Sequence, residues 1–439
     1  VKSSIFGRSI ELARLAARVG IREFRSGDLK SRIEQAVLIA NSLSRLKGAA
    51  MKAGQLLSLD LNNYFPPEAI QILSQLQNQA TAQPFDQMQG IVKKQLGASN
   101  FKKLSEISNS PIGIASIGQV HRARYNDQDI VLKVQYPGVA DSIDSDLKIL
   151  KILASSFCQM TGRKMNLDPL FQEFRNVLSQ EVDYLSEAKL QTEYSARIEK
   201  IRSDTGFHFH VPRVIDELST AHVLAMTFEQ GSTLKTWIGS NPSQVKRDAM
   251  AHAILDLYFH EFFDWGLVQT DPNWANFLVR DIGDKLELIL LDFGATRRYS
   301  QDFIRDYILL LHLSANGDSE ALKEHAIQFG LLDKRESKEA FFAFQQVLAT
   351  ATKPFFTAKA GQQKFDFSDP QHAINSANAA KDLAELLVFS PPPYGLAFLH
   401  RKLGGVYSVL KSLEVKLDIS GYWEKMSNYS KNKAKGFKS

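Results

Sequence analysis

The chain has 439 residues, 44% of them hydrophobic and 23% charged, which is enough apolar content for one large core or two lobes and too much for a disordered chain. No nucleic-acid partner is expected, a net charge of +5 is modest, and the single cysteine, Cys158, excludes intramolecular disulfides and reads as a buried thiol in a reducing compartment. The longest apolar runs, such as 288–291 and 307–313, fall far short of the about 20 residues that a membrane-spanning helix needs.

Helical periodicity extends to about residue 100, broken at Phe65-Pro66-Pro67 and at Gln83-Pro84. Arg8 to Arg22 reads as a basic amphipathic helix, with arginines at 8, 14, 18 and 22 and Ile10, Leu12, Leu15, Val19 and Ile21 between them. The tail from Lys425 adds Lys431, Lys433, Lys435 and Lys438. Both segments are candidates for reversible attachment to an anionic membrane surface, against a competing reading in which the helix packs on the lobes and the tail is a solvated end. Lys52 lies in a Gly/Ala-rich helix, Gly48 to Gly54, whose small side chains allow close packing against another surface.

A β-rich small lobe is expected over 101–228. Pro111 to Gly118 stands where a phosphate-covering loop belongs: Gly113 and Gly118 let backbone amides approach phosphate oxygens, and Ser116 adds a hydroxyl. A turn at Tyr125-Asn-Asp-Gln128 closes a hairpin from Gln119–Ala123 onto Ile130-Val-Leu-Lys133, so that Lys133 is a phosphate-pairing lysine. Helices follow at about 138–160 and, starting from Asp168 as N-cap with Pro169 at the first helical position, through 201. On such a continuous helix Glu181 and Glu187 lie about 240° apart. Only one can meet Lys133; Glu187 is favoured, with Glu181 and Asp183 facing elsewhere. His208 and His210 alternate as strand residues. A strand at 223–228 leads into Glu229-Gln-Gly231, a hinge, where backbone groups near Met226 and Phe228 are expected to hold an adenine edge.

From Ser243 the periodicity is helical to about 425, interrupted by the most constraining stretch of the chain. Asp271-Pro-Asn-Trp-Ala-Asn276, a short predicted hairpin and Asp292-Phe-Gly294 have the order and spacing of a phosphoryl-transfer site. Asp271 orients the acceptor or water, and Asn276 and Asp292 hold Mg²⁺. The next helix starts by Gln301, which leaves no room for the long activation segment on which a protein kinase docks a peptide.

Lys52-Ala-Gly-Gln55, Ala115-Ser-Ile-Gly-Gln-Val-His121, Val134-Gln-Tyr-Pro-Gly138, Glu181-Val-Asp183, Gln269-Thr-Asp-Pro-Asn-Trp-Ala-Asn-Phe277 and Leu291-Asp-Phe-Gly-Ala295 together resemble the UbiB/ADCK atypical kinase family, in its coenzyme Q-biosynthesis branch, from about residue 30 to about 410. The resemblance implies an α+β, protein-kinase-like bilobal fold: an N-terminal helical extension (1–100), a small lobe with inserted helices (101–228) and a helical large lobe (229–439). It also implies that Lys52 and Gln55 gate the cleft and that Lys52 approaches Glu181 and Asp183. The family's phosphate loop has three alanines before the serine; here those positions are Gly113, Ile114 and Ala115.

The expected function is an ATP- and Mg²⁺-binding ATPase or small-molecule kinase supporting prenylquinone biosynthesis, working with quinone-biosynthesis enzymes or prenylquinone precursors. The alternative is a non-catalytic ATP-binding scaffold. No secretory signal is visible; the expected location is cytoplasmic or peripheral on an inner membrane, with the mitochondrial matrix as the alternative.

Overall fold

Asn126 and Asp127 both adopt positive φ, 49° and 60°, the conformation that a two-residue hairpin turn needs and that Asn and Asp tolerate best. They join the strands Gly118–Tyr125 and Gln128–Gln135 at the centre of an antiparallel sheet. Val223–Thr227 closes one side, and the short strands Leu104–Ser105 and Gly113–Ile114 share the other. This register sets Lys133 opposite Val120 on one neighbour and Leu224 on the other.

A computed structural model describes residues 82–160, 166–201, 207–283, 285–356, 364–390 and 394–435. The amphipathic segment 8–22 and the motif residues Lys52 and Gln55 lie outside the described residues, and the side chain of Cys158 does too.

The helical run expected from 168 to 201 is two helices, Asp168–Glu181 and Tyr184–Ile198. Asp183 causes the break. Its backbone is extended, and its carboxylate accepts hydrogen bonds from the N–H groups of Leu185 and Ser186 and from the Ser186 hydroxyl at 2.6 Å, so it caps the second helix. Those Ser186 bonds hold its pKa below the usual carboxylate range. At the start of the run Leu167 is the N-cap and Asp168 the first helical residue, so the helix begins one position earlier than expected, with Asp168 paired to Lys151. Asp183→Ala is expected to cost about 1 kcal/mol, read as a lower urea midpoint with an unchanged slope.

Apolar residues of the small sheet pack with the helices Phe85–Phe101, Val139–Met160 and Asp168–Glu181 into one core, which also takes Phe398 from the helix Tyr394–Ser412. A larger core gathers the helices after the hinge with Tyr194, Ile198, Phe207 and Val211 from before it. Strand Phe207–His210 pairs in parallel with Lys285–Leu290, so both expected strand histidines belong to a large-lobe sheet. Two segments therefore lace the lobes together: Tyr184–Ile198 contributes to both cores, and so does Tyr394–Ser412.

After Asp292-Phe-Gly294 a three-residue strand leads directly into the helix Gln301–Asn316. The tail from Lys425 is not a loose end within the described residues: it continues the helix Ser420–Lys435, anchored by buried Tyr422, Trp423 and Met426. Among the described residues no helix is long and apolar enough to cross a membrane.

Candidate active site

Residues Asp271 to Asn276 are shaped by their own side chains. The Asp271 carboxylate accepts the Asn273 N–H, and Asn273 in turn caps the short helical turn Trp274–Asn276 by accepting the Ala275 N–H. Asn276 donates its amide Nδ2 to Asp271 at 3.1 Å. A hairpin of Phe277–Ile282 and Lys285–Leu290 then returns the chain, with Phe277 opposite Leu290 and the Leu291 N–H on the Asn276 carbonyl at 3.0 Å. The in-register hairpin thus sets Asn276 beside Asp292. Sixteen residues of separation become adjacency through one ladder.

Lys133 reaches this group from the small lobe. Its ammonium lies 2.6 Å from Glu187 and 3.5 Å from Asp292. Burial works against the charge on Lys133, but the Asp292 and Glu187 carboxylates outweigh it and hold its pKa well above the ordinary value. Burial pushes the Glu187 carboxyl up to about 7, against the downward pull of the Lys133 ammonium at 2.6 Å.

The break in the helix changes the expected place of Glu181. On one continuous helix it would face away from Lys133; with the chain interrupted at Val182 and Asp183, the side chains of Glu181, Glu187 and Asp292 surround Gly294. A Cβ there would lie 3.3 Å from Asp292, 3.5 Å from Glu187 and 3.6 Å from the Glu181 Cγ. Asp183 instead spends its carboxylate on the helix cap.

Gly113 and Ile114 form a short strand against Val120 and Gln119, and the Ala115 N–H closes a turn onto the Gly118 carbonyl at 2.8 Å, with Ser116 at its tip. Gly118 differs from its expected use as an open approach for phosphate. A Cβ there would lie 2.5 Å from the Val134 carbonyl oxygen and 2.7 Å from the Tyr184 hydroxyl, so close packing is what requires glycine. At the hinge, Met226 is buried in the sheet opposite Val131, with Gln191 on its sulfur, and the Phe228 N–H is committed to the Asp129 carbonyl at 3.1 Å. That N–H is thus committed to the sheet, which leaves other backbone groups near Phe228 for the expected adenine edge. Glu229 is held by His210 at 3.0 Å and Arg280 at 2.8 Å.

Several side chains at the site carry no motif signal. The Tyr184 ring lies 5.2 Å from the Lys133 ammonium, Gln180 donates to the Gly294 and Thr296 carbonyls, and Arg401 donates to the Thr270 carbonyl at 3.1 Å. Gln180 and Tyr184 border the acidic motif, the only hint the sequence offers for them.

Residues 75–326 match the model of the ABC1 atypical kinase-like domain, more than half of the chain. Over 390 residues the chain is 33% identical to the probable serine/threonine-protein kinase abkA of Dictyostelium discoideum, covering 86% of this chain and 67% of that one. Over 371 residues it is 35% identical to the mitochondrial atypical kinase COQ8 of Saccharomyces cerevisiae, covering 84% and 71%. A solved structure of Rv3197 with erythromycin, from Mycobacterium tuberculosis, shares the fold at a TM-score of 0.58 with 21% identity, covering 88% of this chain and 93% of that one. With a lysine bridging two acids over a loop that sets Asn276 beside Asp292, and with these relatives, the chain belongs to the ABC1 atypical kinase-like family, the UbiB/ADCK kinases.

Proposed function

We propose that this chain binds ATP with Mg²⁺ and transfers the terminal phosphoryl group to water or a small acceptor, in support of coenzyme Q biosynthesis. The observation that carries the reading is Lys133 held between Glu187 and Asp292, with Asn276 and Asp271 alongside. The donor set fits the metal: Asn276 turns its Nδ2 to Asp271, which leaves the amide oxygen for a hard cation, and Asp292 adds a carboxylate. Bound Mg²⁺ supplies charge neutralisation at the phosphates. Lys133 adds a fixed positive charge there, and Asp271 orients the attacking hydroxyl.

The turn at Gly113, Ile114, Ala115 and Ser116 covers the phosphates. With the Phe228 N–H and the Gln230 carbonyl already bonded, the adenine edge falls to the Phe228 carbonyl and the Gln230 N–H. Lys52 and Gln55 gate the site, and since Asp183 caps a helix, Glu181 is the acid that Lys52 meets. The short link from Gly294 to Gln301 argues against protein substrates. The mitochondrial relatives favour a matrix location, and the basic N-terminal segment favours peripheral contact with an anionic membrane.

Asp271→Asn tests this directly. Steady-state ADP release is expected to fall by about 10²–10⁴-fold, while the thermal shift with ATP·Mg²⁺ stays at the wild-type value. Equal ADP release from both proteins would leave the scaffold reading in its place.

A further inference from the structure

Among the described residues, the buried lysine and arginine side chains are Lys133 and Lys402. Burying an ammonium is costly unless a specific arrangement repays it, so a second buried lysine calls for a reason. Lys402 lies on the helix Tyr394–Ser412, 131 positions beyond Asp271, where no motif points. Its ammonium is 2.8 Å from Glu261, which is 1% exposed. Glu261 also accepts from the Tyr194 hydroxyl at 3.2 Å and from the backbone N–H of Gln269, two residues before Asp271. Tyr194 packs its ring 4.8 Å from that of Phe293, next to Asp292.

This polar cluster shares a small enclosed chamber with the proposed metal residues: Glu261, Gln269 and Lys402 line it together with Asn276, Asp292 and Phe293. The same helix makes two further contacts with the loop. Arg401 holds the Thr270 carbonyl, and a Cβ on Gly405 would overlap Pro272. Residues 401, 402 and 405 fall on one face at helical spacing, so a single helix surface backs the loop from Thr270 to Asn276.

We infer that Lys402 is a positioning residue for the metal-binding side chains: anchored on Glu261, it fixes the segment from Gln269 to Asn276 and Asp292 from behind, as Lys133 does from the front. The inference rests on the reading of Asn276 and Asp292 as metal residues. Outer groups that orient metal ligands change affinity without touching the metal.

The test is Mn²⁺ binding in the presence of ATP, followed by the electron paramagnetic resonance of free Mn²⁺, on the full chain well below its melting temperature. Lys402→Met is expected to weaken Mn²⁺ binding about tenfold or more and to lower the melting temperature, since it strands a buried carboxylate. The double variant Glu261→Gln/Lys402→Met removes that stranded charge and is expected to regain much of the melting temperature while Mn²⁺ binding stays weak. Recovery of Mn²⁺ affinity along with the melting temperature, or wild-type affinity in the single variant, overturns the positioning role. The reading beneath it fails separately: wild-type protein that binds no Mn²⁺ with ATP, or Asp292→Asn that binds it undiminished, refutes the metal assignment and the inference with it. Wild-type protein that binds Mn²⁺ without releasing ADP refutes turnover alone.

Discussion

Lys133→Met is expected to lower unfolding free energy by about 3–5 kcal/mol and to reduce ADP release to background. The methionine keeps the length and flexibility of the stem but not the charge. Glu187 is 1% exposed and pairs with this ammonium at 2.6 Å, so without it a desolvated carboxylate is left beside Asp292 with its neutralising cation gone. The stability loss should shrink in the double variant Lys133→Met/Glu187→Gln, which replaces the stranded charge by a neutral amide, but turnover should not return because the cation proposed to face the phosphates is still missing. Urea denaturation and an ADP-release assay on the three proteins check both parts. A single variant with the wild-type urea midpoint would contradict the buried pair.

The second large effect separates two glycines of one turn. Gly118→Ala is expected to cost about 1–3 kcal/mol by overpacking, because its Cβ would meet the Val134 carbonyl oxygen at 2.5 Å and the Tyr184 hydroxyl at 2.7 Å. The first is backbone in the middle of the sheet and cannot yield without moving the strand that carries Lys133. The second belongs to a fully buried ring that lies against the Lys133 ammonium. Gly113→Ala adds only ordinary contacts, none closer than 3.7 Å to Val120, and is expected to change stability by about 0.5 kcal/mol or less. On the proposed function its effect belongs to nucleotide affinity, since it leaves the sheet undisturbed and alters the turn proposed to cover the phosphates. Denaturation midpoints should therefore separate the two variants, with Gly113→Ala near the wild-type midpoint and changed only in nucleotide titration. A Gly118→Ala protein as stable as Gly113→Ala would mean that the strand and Tyr184 yield more easily than their burial implies.

The sequence by itself determined the elements whose information is local. Asn126-Asp127 calls for a tight turn because those residues accept positive φ, and the spacing from Asp271 through Asn276 to Asp292 calls for a loop and a hairpin that returns on itself. Helical geometry let only one of Glu181 and Glu187 meet Lys133 and did not itself select Glu187, and its premise of one continuous helix does not hold. Periodicity runs across Val182 and Asp183 without a fault, and only the capping bonds of Asp183 reveal the break that brings Glu181 to Gly294. Tertiary structure alone decided the contacts made across long separations. Gly118 needs to be glycine because a helix 66 residues later places Tyr184 on it, and Lys402 lies behind Asn276 because the helix Tyr394–Ser412 packs against the loop. The physical reason is the same in both cases. Backbone propensity and side-chain period act over a few residues, whereas burial of a charge or the clearance around a glycine is set by whatever chain the fold lays against it.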